Sequence, residues 1–265
     1  MKIDRVQTLY FSPTGTTKTV VTEMSREYFG SKAPCFDLTY PEYTLPQDLS
    51  TGDLVFVGVP VYAGRVPALA VERLEGLQGN GASMVVTVVY GNREYEDALL
   101  ELRNMALEHG FRVVAGCAFI GEHSFSTGEL PIAAGRPDED DLKIARKFAQ
   151  QIRDNVKGLA EKGRGHLDVP GDKPYKEGMM NLPFTVQVDE EKCTLCETCI
   201  STCPAGAISL SGQIIMSADL CILCCACIKG CPEEAVSLTA PPIMEKVVWL
   251  HENCKERKEP ALFTL

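Results

Sequence analysis

The stretch Cys193-Thr194-Leu195-Cys196-Glu197-Thr198-Cys199-Ile200-Ser201-Thr202-Cys203-Pro204 spaces four cysteines as C-x-x-C-x-x-C-x-x-x-C-P. Twenty-eight residues on, Cys221, Cys224, Cys227 and Cys231 repeat the spacing, closed by Pro232. Thiolates spaced in this way converge on the corners of a 4Fe-4S cube. The repeat is wider than cysteine. At the same offset of 28, Leu195 matches Leu223, Ile200 matches Ile228, Ala207 matches Ala235 and Ile208 matches Val236. Two short loop–helix–strand units packed face to face account for that pattern. The competing readings are a zinc ribbon and a disulfide framework. Zinc asks for two C-x-x-C pairs over a longer gap, and here eight thiols fall in two blocks of four. Disulfides belong to oxidising compartments. Met1 to Arg5 carries charge with no apolar core behind it, so no secretory leader is expected. A thiol-rich chain of this kind is expected in the cytoplasm with metal on its cysteines. No apolar run reaches the ~18 residues of a membrane span.

Spacing and repeat together resemble a bacterial two-cluster ferredoxin over residues 186–240. In that family the fourth cysteine of each run crosses to the other cluster. The resemblance therefore implies two 4Fe-4S clusters, one on Cys193, Cys196, Cys199 and Cys231, the other on Cys221, Cys224, Cys227 and Cys203. Pro204 and Pro232 would redirect the chain after each crossing ligand. Cys225 stands out of register and reads as a packed bystander or as a residue that tunes its cluster. Cys35 and Cys117 lie in apolar strand-like stretches and are expected in the core. Cys254 has no evident role.

A chain of 265 residues has room for a larger domain beside a ferredoxin. Cysteine usage marks the border: two of the 12 precede residue 192 and ten follow it. Residues 1–157 alternate strand-like and helix-like periods. Strands are expected at 6–11, 33–38, 53–59, 83–90 and 111–120, and helices at 17–29, 97–109 and 138–156. Apolar runs buried on both faces, alternating with helices, define an α/β doubly wound parallel sheet, here of five strands. Residues 158–185, rich in Gly, Pro and Lys, read as a linker. Residues 241–265 read as a C-terminal tail with one short apolar patch, 247–250, able to form a helix against either domain.

The turn after the first strand is Ser12-Pro13-Thr14-Gly15-Thr16-Thr17. Hydroxyls and one glycine stand where a strand hands over to a helix, a geometry that offers donors to an anion. Ser12, Thr14, Thr16 and Thr17 are candidate donors, and Gly15 permits close approach. Neither a Walker A sequence nor a G-x-G-x-x-G fingerprint is present. The alternative is an ordinary capped helix start. The loop resembles the phosphate loop of flavodoxins, and the alternation extends that likeness over about 150 residues. The resemblance implies FMN and the strand order 2-1-3-4-5, with the ring between the loops after strands three and four. By that resemblance Pro60, Tyr62, Tyr90, Gly91, Asn92 and Tyr95 are the ring-side candidates, although a strand-end tyrosine is as readily a packing residue. Arg65 stands either over the ring or on the surface. The long loop 121–137 falls on the same sheet edge and is expected to border the flavin or dock the ferredoxin. In it Glu122, His123 and Ser124 are the polar groups of interest. His123 reads either as a proton donor or as a satisfied surface histidine.

The chain as a whole resembles bacterial flavodoxin–ferredoxin fusion proteins. That implies electron transfer between two 4Fe-4S clusters and FMN, with a soluble redox protein as donor or acceptor. Two other functions fit the same sequence. One is an FMN-dependent reductase of a small, quinone-like organic acceptor; the other is a ferredoxin carried on a flavin-free docking domain. A head-to-tail homodimer is a further arrangement that would bring clusters to flavin. The net charge of −10, without a basic stripe, excludes nucleic acid as an evident partner and suits docking on basic faces.

Overall fold

The computed structural model describes residues 3–162, 167–178 and 185–265. The chain opens with β1 (Arg5–Tyr10), α1 (Thr16–Phe29), β2 (Cys35–Asp37), β3 (Asp53–Pro60) and α2 (Ala68–Leu74). It continues with β4 (Ser83–Tyr90), α3 (Ala98–Glu108), β5 (Arg112–Ile120) and α4 (Glu139–Lys162). The cysteine-rich part holds β6 (Gln187–Val188), α5 (Thr198–Ser201), β7 (Ile208–Leu210), β8 (Ile214–Met216), α6 (Ala226–Lys229) and β9 (Val236–Ser237). It ends with α7 (Pro241–Asn253) and β10 (Ala261–Thr264).

Strands β1 to β5 are parallel in the order 2-1-3-4-5. The central strands β3 and β4 are buried along almost their whole length because helices cover both faces. On one face Val20, Val21 and Met24 of α1 and Phe148 and Ile152 of α4 pack on Phe56, Val85 and Val89. On the other, Leu74 of α2 and Leu99 and Leu102 of α3 pack on Val57, Val86 and Val88. Helix α1 lies so close to β3 that a Cβ at Gly58 would stand 2.9 Å from the Thr17 methyl. Helix α2 escaped the sequence reading; its seven residues are too few for a clear period.

The five parallel strands stand in the expected order, and β10, which was not expected, adds a sixth antiparallel to β5, pairing Ala261 with Ala118 through Thr264 with Ala115. The added strand covers an edge that β5 would otherwise leave unpaired. The stretch 167–178, read as part of a linker, lies against α3. Leu167 and Val169 are buried in the core, Arg103 donates to the Leu167 carbonyl, and Asn104 donates to the Tyr175 hydroxyl. Cys35 is exposed, since β2 is a three-residue edge strand, whereas Cys117 is fully buried.

The cysteine-rich part is built as two ribbons, β6 with β9 and β7 with β8. Ile200, Ile208, Ile228 and Val236, four of the repeat-matched positions, pack between the cysteine runs. Proline in the first turn starts α7. Ile243, Val247 and Leu250 share one face of α7 and meet Ile132 of the 121–137 loop and Leu223 of the second cysteine run. The tail helix thus touches both halves. Among the described residues no helix is long and apolar enough to cross a membrane.

Candidate redox site

The two cysteine runs fold into matching turns. Leu195 and Leu223, and Glu197 and Cys225, occupy the left-handed region at φ 56°, 52°, 60° and 60°. Each pair is 28 residues apart, so the sequence repeat is also a backbone repeat. Each turn leads into a one-turn helix, α5 or α6, that carries the third cysteine. One cavity is lined by Cys193, Cys196, Cys199 and Cys231. A second is lined by Cys203, Cys221, Cys224 and Cys227, with Cys225 beside them. The fourth cysteine of each run therefore faces the cavity of the other run. All eight are free thiols, and backbone N–H groups of Ala207 and Ala235 donate to the sulfurs of Cys203 and Cys231 at 3.3 Å. Four sulfurs per cavity, with N–H donors to the crossing thiol, fit the ligand needs of a 4Fe-4S cube. The Cys225 sulfur bonds instead toward the Leu223 carbonyl.

The two cavities differ in exposure. Cys196 is exposed, and the Thr198 hydroxyl and N–H hold its thiol below the ordinary value. Burial pushes the Cys224 and Cys227 thiols up to about 12. As bare thiols these two keep their protons until a metal displaces them.

A larger cavity of about 410 Å³ lies outside the carboxyl ends of β1, β3, β4 and β5. That is where open α/β sheets hold ligands, and the volume falls within the ~300–1,000 Å³ of small-molecule sites. Thr14 and Thr16 line one end, at the N-terminus of α1. Gly15 sits at φ +86°, a conformation that favours glycine. Pro60, Tyr62, Tyr90 and Gly91 line the middle, and the 121–125 segment closes one side. Bare β-carbons at Gly91 and Gly121 would meet His123 at 2.2 Å and Thr16 at 2.9 Å, so both glycines permit close approach. Hydroxyls and a helix start at one end, with tyrosines and apolar walls beyond, fit a flavin monophosphate.

Four candidates fall elsewhere. Thr17 is fully buried, its methyl turned to Gly58, because the first turn of α1 packs on β3. Ser12 braces the loop: its hydroxyl accepts the Lys18 N–H at 3.0 Å, and its N–H donates to the Thr39 hydroxyl. Asn92, at φ 64°, donates to the Cys254 and Glu256 carbonyls and so ties down the tail. Tyr95 packs on the Tyr90 ring with centroids 5.3 Å apart. Arg65 also points away, paired with Glu101 and lying over the Tyr175 ring.

The 121–137 loop reaches both the cavity and the cysteine-rich part. Its 121–125 segment lines the cavity, while Glu122 pairs with Lys229 at 2.7 Å and the Ser126 carbonyl accepts from the same ammonium. His123 lines the cavity, and its Nδ1 accepts the Phe125 N–H at 3.0 Å, which leaves the proton of the neutral ring on Nε2. Burial first, then Arg93, Lys229 and Lys246, lowers His123 to about 4. An unfolded chain binds a proton there between pH ~4 and ~6.5 that the folded chain refuses, so stability rises with pH across that window and is level above it. The slope attributable to His123 is about 1.4 kcal/mol per pH unit. His123→Gln is expected to flatten the rise in denaturant midpoint between pH 5 and 6.5; an unchanged slope would refute the assignment.

Some lining residues were missed by sequence reading. Ile222 and Leu223 come from the second cysteine run, and Pro242, Ile243, Lys246 and Leu250 from α7. Ile222 and Leu223 also line the cavity of Cys203, Cys221, Cys224 and Cys227. Ile222 and Leu223 therefore form a wall shared by the two cavities.

A family model described as a 4Fe-4S binding domain matches residues 186–209, which contain the first cysteine run. The chain thus joins a flavodoxin-like fold, defined by its strand order, to a 4Fe-4S ferredoxin domain. A curated relative, dihydromethanopterin reductase (acceptor) of Methanocaldococcus jannaschii, is 36% identical over 69 residues. That match spans 25% of this chain and 26% of the relative, about a quarter of its length. Among solved structures, a flavodoxin from the domain Archaea aligns with TM-score 0.42 and 15% identity, over 58% of this chain and 99% of that one. Oxidised flavodoxin 1 from Bacillus cereus aligns with TM-score 0.40 and 14% identity, over 58% and 98%.

Proposed function

We propose that the chain is an iron–sulfur flavoprotein that moves electrons between two 4Fe-4S clusters and FMN and exchanges them with a soluble redox protein. The observation that carries this reading is the shared wall of Ile222 and Leu223 between the flavin-sized cavity and the second set of four cysteines. When bound, FMN supplies exchange between one-electron and two-electron chemistry. The chain's own residues divide the remaining work. Thr14, Gly15 and Thr16 hold the phosphate end. Tyr62, Tyr90 and Gly91 line the ring end, and Ile222 and Leu223 exclude water between the centres. The first set of cysteines, with Cys196 exposed, is the side open to a protein partner. Exposed Leu195 adjoins Cys196, and Glu197 and Glu233 line the same cavity, a surface suited to a partner with a basic face. That the wall is built from one chain supports transfer within a single copy.

Anaerobic purification followed by assay is expected to give about eight iron, eight sulfide and one FMN per chain. Iron without flavin would leave a ferredoxin on a docking domain. Thr14→Val with Thr16→Val tests the phosphate end. Hydrogen bonds to a charged group contribute about 1.5–3 kcal/mol each, so FMN affinity is expected to fall at least ~tenfold while iron content stays level. Unchanged affinity in a flavin titration would place the phosphate elsewhere. A second reading is reduction of a small organic acceptor. The cavity favours it by running on along α7 past Lys246, beyond what the phosphate loop needs. Steady turnover of a quinone by the reduced protein, without a protein acceptor, would select it.

A further inference from the structure

Arg73 is a charged side chain buried at the joint between the two halves. It stands near the end of α2, is 5% exposed, and forms no ion pair among the described residues. One guanidinium nitrogen donates to the Leu38 carbonyl of the flavodoxin half. Another donates to the carbonyl of Pro204, the residue after Cys203. The guanidinium also lies over the Phe11 and Tyr43 rings at 5.6 and 5.5 Å. Glu72, Asp37 and Glu42 act on it only from a distance, and none is buried.

A buried cation is costly unless an opposite charge lies near. Two carbonyls, two rings and the distant Glu72, Asp37 and Glu42 offset part of that cost, but no carboxylate among the described residues forms an ion pair with it. A cube held by four thiolates is anionic and becomes more so on reduction. Cys203 lines the cavity of the flavin-side set, and Arg73 is bonded to the residue that follows it. The repeat provides an internal control. Pro232 is the counterpart of Pro204, and among the described residues no side chain donates to its carbonyl. Lys229, in the second run, is by contrast matched by Glu122.

We propose that Arg73 is a positioning residue that seats the ferredoxin half through Pro204 and raises the reduction potential of the flavin-side cluster above that of the exposed one. Positive charge nearby favours the more negative, reduced form, and net charge is among the determinants of cluster potential. Electrons that enter at the exposed centre then collect on the centre next to the flavin cavity. The inference rests on the two-cluster reading above.

The test is a redox titration of the purified full chain followed by electron paramagnetic resonance, with iron and flavin measured on the same samples. The wild type is expected to show two one-electron waves. Arg73→Met keeps the stem and removes the charge. It is expected to lower the higher wave toward the other, with the reduced-to-oxidised ratio at a fixed potential falling about tenfold, or ~59 mV. Arg73→Lys keeps the charge and is expected to restore most of the shift, even if docking through the fork is weakened. With eight iron present, an unmoved higher wave in Arg73→Met, equal shifts in both waves, or no recovery in Arg73→Lys would overturn the proposal. A wild type with only four iron would instead refute the two-cluster reading, and the proposal with it.

Discussion

Replacing Cys224 by serine is expected to remove one cluster and cut the route to the flavin while leaving the flavin bound. Cys224 is buried in the cavity it shares with Cys203, Cys221 and Cys227, and its neighbour Leu223 is part of the wall to the flavin cavity. A serine hydroxyl holds its proton far more tightly than a thiol and is a harder ligand, so it does not replace the sulfur. Iron is expected to fall from about eight to about four per chain. Thr14, Thr16, Tyr90 and Gly91 are untouched, so FMN content is expected to stay level. Reduction of the flavin by electrons delivered through the exposed cluster is expected to be lost. Cys225→Ser is the control one residue away. Its sulfur bonds toward the Leu223 carbonyl, so the iron count is expected to be unchanged. Full iron in Cys224→Ser, or halved iron in Cys225→Ser, would refute this ligand assignment.

The largest stability loss is expected from Arg136→Met. Arg136 and Asp141 form a buried ion pair, with side chains 6% and 0% exposed. Asp141 also accepts the Asp138 N–H at 2.9 Å, and Arg136 donates to the Lys258 carbonyl at 2.7 Å. One guanidinium therefore joins the end of the 121–137 loop, the start of α4 and the tail that leads into β10. Its removal leaves a carboxylate buried and short of a partner, a change that costs about 3–5 kcal/mol. Arg257, at 3.7 Å from Asp141, offsets some of that, so the lower end is expected. The double variant Arg136→Met with Asp141→Leu is expected to recover part of the loss, since no buried charge remains unmatched. Urea unfolding of the three proteins measures this. A single variant within about 1 kcal/mol of wild type would show that the pair contributes little, as exposed pairs do.

The sheet was legible because β3 and β4 are continuous apolar runs, a pattern that parallel strands buried on both faces impose locally. The site's hydroxyl turn was legible as a feature, but not which hydroxyl faces the cavity. Thr16 and Thr17 are adjacent and chemically alike, and α1 packing on Gly58 turns one outward and the other into the core. Asn92 and Tyr95 sat in the expected loop, yet one holds the tail and the other packs on Tyr90. Those outcomes depend on partners more than 100 residues away for Asn92 and on local ring packing for Tyr95.

Cysteine spacing, its repeat and the alternation of strand and helix are local properties, because ligand geometry and burial period act over a few residues. Tertiary structure alone decided what closes the site. Ile222, Leu223 and the inner face of α7 reach the flavin-sized cavity only once the halves dock, and β10 finds β5 across more than 140 residues of chain. Such pairings are set by shape and by the cost of leaving a polar edge or an apolar face uncovered. No short stretch of residues records which distant surface will meet that need.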